Sequence, residues 1–500
     1  MRHIKNLFLP LALFLFAFIL RLEFISRGPF NEDALRLAVN AQKTLDTLRL
    51  HYIQTPGSPL TVIIAAINIA ISRFFSINDS VLVVNFMSVY FGALAVLMLY
   101  LSVKELLNEL SAVFSALFFT VLPPYFSASL FGKDHTLSIF LALLSIYTLA
   151  KYLNNERTRL LLGSGLALGL CGSVRPADSL IITAVIPLLL MHTWERKNRD
   201  LSALKCAIKN CTLFTMAFLL PLLLFYLPYL TQGGAAKIMS AVNSIERAKF
   251  LGLFSQTLPL AIAYTFESFT IPGVAMSLAG LYILFLRNRR FCLFLLIWFL
   301  VLFFYHGNLS VVSHRLMIAA FVPLVIGLGY CFCALAQMSG LTKLVALLLF
   351  FTILLWLFYN LLPAVDFRHR YNLQGDFGRW VASRTEEKAL IMAMDESIFI
   401  EYYAHRKTLN YPELPITCDE KVAEEFIHKY IRANLRKDIP VYVTSAGLAY
   451  DLAYCGTLSR LLKQDFIIEL VGCRINEDWH HSCLKLGLYK DCLWRIREKP

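Results

Sequence analysis

Four short stretches of this 500-residue chain carry ionisable side chains at the edges of long apolar runs. The first, Arg27-Gly-Pro-Phe-Asn-Glu-Asp-Ala-Leu-Arg36, holds two adjacent carboxylates, Glu32 and Asp33. The second, Leu122-Pro-Pro-Tyr-Phe-Ser-Ala-Ser-Leu-Phe-Gly-Lys-Asp-His135, brings Lys133, Asp134 and His135 to the start of an uncharged stretch, Thr136–Leu149. The third, Gly169-Leu-Cys-Gly-Ser-Val-Arg-Pro-Ala-Asp178, is an Arg-Pro break between two apolar segments. The fourth, Tyr305-His-Gly-Asn-Leu-Ser-Val-Val-Ser-His-Arg315, ends on His314 and Arg315. A carboxylate can act as general base toward a hydroxyl, and arginines can hold a phosphate-bearing leaving group. The guanidinium is suited to grip phosphate through two parallel hydrogen bonds.

Each stretch also has a plainer reading. Glu32 and Asp33 can simply hydrate at a membrane surface, and Asp134 can cap the helix that follows it, where the helix dipole favours a carboxylate. Arg175 and Asp178 can neutralise one another across one turn. Tyr305 and Arg315 can anchor a helix at the membrane interface. What favours chemistry is that ionisable residues at membrane depth are costly and mark functional sites.

The elements that must position these residues are membrane helices. Of the chain, 58% is hydrophobic and 16% charged, against ~25% charged in soluble proteins. The apolar residues come in blocks long enough to cross a ~30 Å hydrocarbon layer as a helix. Leu7–Phe24, Val81–Leu101 and Leu341–Leu362 are apolar almost all round, which a soluble helix would not be. The first run has no small-residue cleavage site before Arg21-Leu22-Glu23, so it reads as a span rather than a signal peptide. No repeat and no low-complexity segment interrupts the chain.

The net charge of +13 follows topology rather than nucleic acid. Basic residues concentrate in three short loops: Lys151, Arg157 and Arg159; Arg196, Lys197, Arg199, Lys205 and Lys209; and Arg287, Arg289 and Arg290. Taken as cytoplasmic, they let the segments 135–152, 160–174, 177–193, 211–230, 257–286, 291–305, 316–337 and 341–363 alternate without conflict. The loops at Arg175, Lys237–Lys249 and His306–Arg315 then lie outside, with everything after Pro363. Asp134 must be external, and so must the end of the first span near Arg27. Three apolar segments lie between them: 59–75, 81–103 and 110–131. An odd number of crossings cannot return to the same side. The segment 59–75, which starts in Thr55-Pro-Gly-Ser-Pro59 and carries Asn68 and Arg73, is the one expected not to cross. The count is then about eleven spans, and residues 26–58 share a face with Asp134. The segment Ala34–Leu50 has the pattern of a helix lying in the interface.

Beyond the membrane domain, 1–365, a soluble domain of residues 366–500 reads as α/β. Strands are expected at Lys388–Met394, Pro440–Thr444 and Phe466–Val471, and helices at Val422–Leu435 and Leu458–Leu462. Ser445-Ala-Gly447 alone is no nucleotide loop. Of eleven cysteines, six lie in or beside spans, where Cys acts as a small hydrophobe. Cys331-Phe-Cys333 lacks metal-ligand spacing. Cys418, Cys455, Cys473, Cys483 and Cys492 lie in the soluble tail, where they can form disulfides, one of them left over.

The layout resembles the GT-C superfamily of glycosyltransferases, and looks most like the branch of protein O-mannosyltransferases and lipid A aminoarabinose transferases. The matching features are a first span, an external acidic pair and a second acidic motif near Asp134. An Arg-Pro junction follows a Gly-rich span, and a late His-Arg precedes an apolar helix. Pro123-Pro-Tyr-Phe-Ser-Ala-Ser-Leu-Phe-Gly-Lys-Asp134 is also similar to a stretch of oligosaccharyltransferase catalytic subunits. The resemblance implies that Glu32 or Asp33 is the base that activates the acceptor and that Asp134 orients acceptor or donor. It implies that Arg175 and Arg315, with Lys133 and His314, bind the donor's phosphate. Two departures stand out: the acidic pair reads Glu32-Asp33 where the family has Asp-Glu, and the following Pro-Pro is here Pro56-Gly-Ser-Pro59.

The expectation is thus a polytopic α-helical membrane protein with a C-terminal α/β extracytoplasmic domain, in a bacterial inner membrane with its N-terminus cytoplasmic. It would transfer sugar from a polyprenyl-phosphate-linked donor to a lipid, glycan or protein acceptor, with membrane lipid around it and no nucleic acid. No cofactor is fixed by the sequence, and a divalent metal is compatible with it. A transporter or lipid flippase would instead put polar residues midway through several spans, often in repeats. An assembly or adhesion protein would lose nothing when the carboxylates are changed. Asn308-Leu-Ser310 is a glycosylation-type tripeptide in an external loop.

Overall fold

The structure, a computed structural model, describes residues 2–53, 58–196, 200–234, 250–307, 313–394, 396–409, 418–475 and 490–499. The Lys237–Lys249 loop, Asn308-Leu-Ser310, Lys197, Arg199 and Cys483 lie in whole or in part outside the described residues. The chain divides into two compact units, one of residues 1–25 and 37–367, the other of residues 26–36 and 368–500.

The first unit is helical. Its elements are α1 (Arg2–Glu23), α2 (Glu32–Thr47), α3 (Pro59–Phe74), α4 (Ser80–Leu106), α5 (Glu109–Val121), α6 (Pro123–Ala128) and α7 (His135–Asn155). They continue with α8 (Thr158–Val174), α9 (Ile182–Arg196), α10 (Leu201–Tyr229), α11 (Phe250–Arg287), α12 (Arg289–Gly307), α13 (Ile318–Ala336) and α14 (Leu341–Arg370). Helix α2 begins in the other unit. Among the described residues, eight helices are long and apolar enough to cross a membrane, while α3, α5 and α8 are shorter apolar helices. The expected count of about eleven would add α1 and the shorter α5 and α8 to these eight.

The ends of the helices show which way each runs. Lys151 pairs with Glu105, Arg196 with Glu156 at 3.2 Å, and Arg290 with Glu195 at 3.1 Å. The three basic clusters therefore share one end of the bundle, as the loop charges required. At the opposite end, Asn85 and Ser88 of α4 hold the backbone before α7: Gly132 N donates to Asn85 Oδ1 at 2.6 Å and Lys133 N to Ser88 Oγ at 3.1 Å. Helix α4 thus starts at the Asp134 end. So does α3, because Ser58, just before it, reaches Asp134 at 3.4 Å. The far end of α3 returns there too: Arg73 pairs with Asp46 at 2.8 Å, and Ser80 Oγ bonds Gln42 of α2 at 3.1 Å. Both ends of the 59–75 segment lie at one end of the bundle, and it is not a crossing.

Two features shape the bundle near this end. The chain breaks at Leu122-Pro123-Pro124, where the proline ring at the start of α6 cannot continue a helix. The buried Arg21 closes the gap, its Nε donating to Ser129 Oγ at 2.9 Å and its Nη2 to Thr120 O at 3.2 Å. Helices α11 and α13 cross on bare backbone: a Cβ at Gly280 would sit 1.8 Å from Gly327 O.

The second unit contains a five-stranded sheet, β1 (Leu390–Met392), β2 (Lys407–Leu409), β3 (Val441–Thr444), β4 (Phe466–Ile475) and β5 (Lys490–Glu498), in the order β2-β1-β3-β5-β4. Strand β1 runs parallel to β2 and β3, and β5 antiparallel to β3 and β4. Alternation along the strands supplies two cores. Leu390, Met392, Val441 and Val443 face α16 (Glu420–Phe426) and its continuation, with α18 (Thr457–Asp465). Ile391, Tyr442 and Leu493 face Phe377 and Val381 of α15 (Leu373–Ala382). Residues 26–36 belong to this unit: Arg27 N donates to Arg368 O at 3.2 Å, and Gln374 Nε2 to Phe30 O at 2.9 Å. Strands β2 and β5 and helix α17 (Ser445–Tyr454) were not expected from sequence. Cys418 pairs with Cys455, and Cys473 with Cys492 across β4 and β5.

Candidate active site

The start of α7 gathers charge into the interior of the membrane unit. Asp134 precedes the helix but makes no capping hydrogen bond with it. Its carboxylate turns inward, 6% exposed, with Oδ1 3.5 Å from Arg175 Nη1 and Oδ2 accepting from Ser58 Oγ at 3.4 Å. Arg175 leaves the C-terminus of α8 in extended conformation, because Pro176 disfavours helix at the preceding residue. That break throws its side chain toward α7. The guanidinium also reaches Asp178, Nε lying 3.2 Å from Oδ2, and Nη1 touches the His135 ring. The Nε–H points off the Asp178 oxygen, so this contact is an ion pair rather than a linear hydrogen bond.

Asp178 is more firmly held than Asp134. Ser138 Oγ, one turn into α7, donates to its Oδ2 at 2.6 Å. His306, at the end of α12, lies 4.0 Å away with the ring 1% exposed and neither nitrogen hydrogen-bonded among the described residues. Lys133, Arg175 and Arg315 lie within electrostatic reach of His135. The cluster thus holds two carboxylates against Arg175, with Lys133 and Arg315 in electrostatic reach, and these cations are of the kind that hold an anion.

Of the residues singled out from sequence, Lys133, Asp134 and Arg175 come together, with Arg315 in electrostatic reach. His314 goes elsewhere. Its Nε2 is 2.5 Å from Glu267 Oε2, and its ring lies tilted against Tyr264 with centroids 3.8 Å apart. His314 and Glu267 line a groove of about 700 Å³ with Pro123, Phe266, Trp356 and Asn360. A carboxylate at that distance opposes a phosphate there. Helix α13 begins at Ile318, two residues after the expected start. Glu32 and Asp33 open α2, capped by Asn31, whose Oδ1 accepts from Ala34 N at 3.0 Å. Glu32 also pairs with Arg36 at 3.1 Å, both well exposed. These two acids fall in the other compact unit.

Sequence reading did not select Ser58, Ser138 or His306, and took Asp178 only as a neutralising partner. Asp178 and His306 lie within motifs already quoted, so proximity to Arg175 and Arg315 was a usable signal. Ser58 lies in the quoted Thr55-Pro-Gly-Ser-Pro59, but nothing there ties it to Asp134, and Ser138 carries no signal. No group of residues that could hold a metal ion occurs among the described residues.

This arrangement, a bundle of apolar helices with a buried acid–arginine cluster at one end and a C-terminal sheet domain, has the GT-C fold seen in solved membrane glycosyltransferases. Residues 59–225 match the family model of dolichyl-phosphate-mannose-protein mannosyltransferases. That segment contains Lys133, Asp134 and Arg175 but not Glu32, Asp33, His314 or Arg315. No curated protein matches the chain by sequence. Among solved structures, the oligosaccharyltransferase of Archaeoglobus fulgidus tethered to an acceptor peptide is 16% identical with a TM-score of 0.62, over 93% of this chain and 72% of that one. The same organism's oligosaccharyltransferase AglB, in complex with an inhibitory peptide and a dolichol-phosphate, is 15% identical (TM-score 0.56; 93% and 73% covered). ArnT of Cupriavidus metallidurans, bound to undecaprenyl phosphate, is 12% identical with a TM-score of 0.56, over 98% of both chains.

Proposed function

We propose that this protein transfers a sugar from a polyprenyl-phosphate-linked donor to an acceptor. The observation that carries this is the buried Asp134–Arg175 pair at the start of α7. Solved proteins of the same fold hold dolichol-phosphate and undecaprenyl phosphate. In this reading Arg175, with Lys133 and Arg315, holds the donor's phosphate as negative charge develops on it during departure. Asp134 orients donor or acceptor. Glu32 or Asp33 takes the proton from the acceptor hydroxyl, which then bonds to the anomeric carbon as the sugar–phosphate bond breaks. The polyprenyl phosphate leaves with the bonding pair. His314, held by Glu267, is assigned no contact with phosphate.

The same reading puts the Asp134 end and the sheet domain outside the cytoplasm of a bacterial inner membrane. The three basic clusters at the opposite end support it. So do two disulfides in the sheet domain, since such bonds persist in oxidising compartments.

The test is a transfer assay in membranes, following radiolabelled sugar from polyprenyl-phosphate donors into lipid, glycan and protein fractions. Wild type is compared with Glu32→Gln, Asp33→Asn and Asp134→Asn at equal expression. Loss of transfer in Asp134→Asn and in one of the first two is expected. Full transfer in all three, or none in wild type with any donor, would overturn the reading and leave a transporter.

A further inference from the structure

The two carboxylates around Arg175 are not equivalent. Asp178 is gripped at short range, by Ser138 at 2.6 Å and by Arg175 Nε at 3.2 Å, and is 2% exposed. Among the described residues Asp134 has long contacts, accepting hydrogen bonds from Arg175 Nη1 at 3.5 Å and from Ser58 Oγ at 3.4 Å. Asp178 lies on the short helical turn after Pro176, so it is fixed to the same break that directs Arg175. It is fixed again to α7 through Ser138. A buried charge whose partners are short and local resists rearrangement, whereas a pair at the limit of contact gives way to a better ligand.

We propose that Asp178 is a positioning residue that holds the Nε side of Arg175, leaving the Nη side for the phosphate of a polyprenyl phosphate, which displaces Asp134. On phosphate binding Arg175 keeps Asp178 and exchanges its weaker partner. Asp134 is thereby released to the substrate when the donor is in place. This rests on the proposed transfer reaction for the ligand's identity, and on the geometry alone for the division of roles.

The experiment measures binding of undecaprenyl phosphate to the purified full-length protein, alongside donor KM and kcat in the transfer assay. Asp178→Asn is expected to weaken binding about tenfold or more and to raise donor KM, because a misdirected guanidinium loses a charge-assisted contact. Acceptor KM stays near wild type, while kcat falls with the weakened hold on the departing phosphate. Asp134→Asn binds the lipid phosphate at least as tightly as wild type while losing kcat. Ser138→Ala, a milder loosening of Asp178, shifts donor KM in the same direction, and Asp178→Glu restores part of the binding. A merely structural Asp178 would lower the yield of folded protein and leave KM unchanged. That result overturns the proposal, as does equal weakening by Asp134→Asn, or no binding by wild type. If wild type transfers sugar and Asp178→Asn binds normally, the positioning role falls and the transfer reading stands. If wild type transfers nothing yet Asp178→Asn weakens lipid-phosphate binding, the positioning role stands and the transfer reading falls.

Discussion

Asp134 stands at the helix-capping position of α7, yet its carboxylate points to Arg175, 3.5 Å away, and not to the helix backbone. A carboxylate that declines an available cap has been drawn into another interaction, and here that interaction is buried. Capping and catalysis were competing readings of this residue. The geometry removes the first without requiring the second.

Removing Arg175 should be the most damaging single change in the cluster. Arg175→Ala leaves Asp134 and Asp178 buried without their shared counter-ion, which costs about 3–5 kcal/mol. Arg175→Lys should not rescue it, since a single ammonium cannot present separate nitrogens to two carboxylates. Thermal unfolding in detergent, measured with transfer activity, checks both. Wild-type stability in Arg175→Lys would contradict the bridging geometry.

At the crossing of α11 and α13, Gly280→Ala puts a methyl group against the Gly327 carbonyl. The two helices must separate, at a cost of about 1–3 kcal/mol for overpacking. The expected outcome is a lowered unfolding midpoint. Gly163→Ala, where a Cβ meets nothing within 4 Å, should leave it unchanged.

In the sheet domain, non-reducing peptide mapping should recover Cys418 linked to Cys455 and Cys473 linked to Cys492. Cys418→Ser, which frees a loop of 37 residues, should cost about 2–4 kcal/mol of domain stability. Mapping that links Cys473 to Cys483 instead would contradict the register of β4 against β5.

A pH dependence follows from Glu386. Burial raises its pKa, but the hydrogen bond from Tyr442 at 2.6 Å and the charge of Arg495 outweigh that, so it titrates below the usual carboxylate range. A depressed folded-state pKa contributes stability that is complete above the unfolded value and is lost as pH falls through the folded one. Tyr442 itself is pushed up to about 12, by burial and by Glu386, and keeps its proton throughout. Tyr442→Phe should therefore raise the Glu386 pKa and flatten the acid limb of the domain's stability curve. An unchanged limb in Tyr442→Phe would show that this hydrogen bond is not what depresses the carboxylate.

Much of the architecture was determined by the sequence alone, because the bilayer imposes length and polarity on each segment independently. Apolar blocks marked the passages, short basic loops marked one end, and parity singled out residues 59–75 as the segment that does not cross. Sheet strands of three residues, such as β2, carry too little pattern to be read, and β5 pairs only through contacts far apart in the chain. The site followed the same division. Residue type and local breaks selected Lys133, Asp134, Arg175 and Arg315. Only the tertiary structure decided that Arg175 serves two carboxylates, that Ser58 and Ser138 hold them, and that His314 is taken by Glu267. Those partners lie on separate helices, and an ion pair between helices leaves no periodic trace along either.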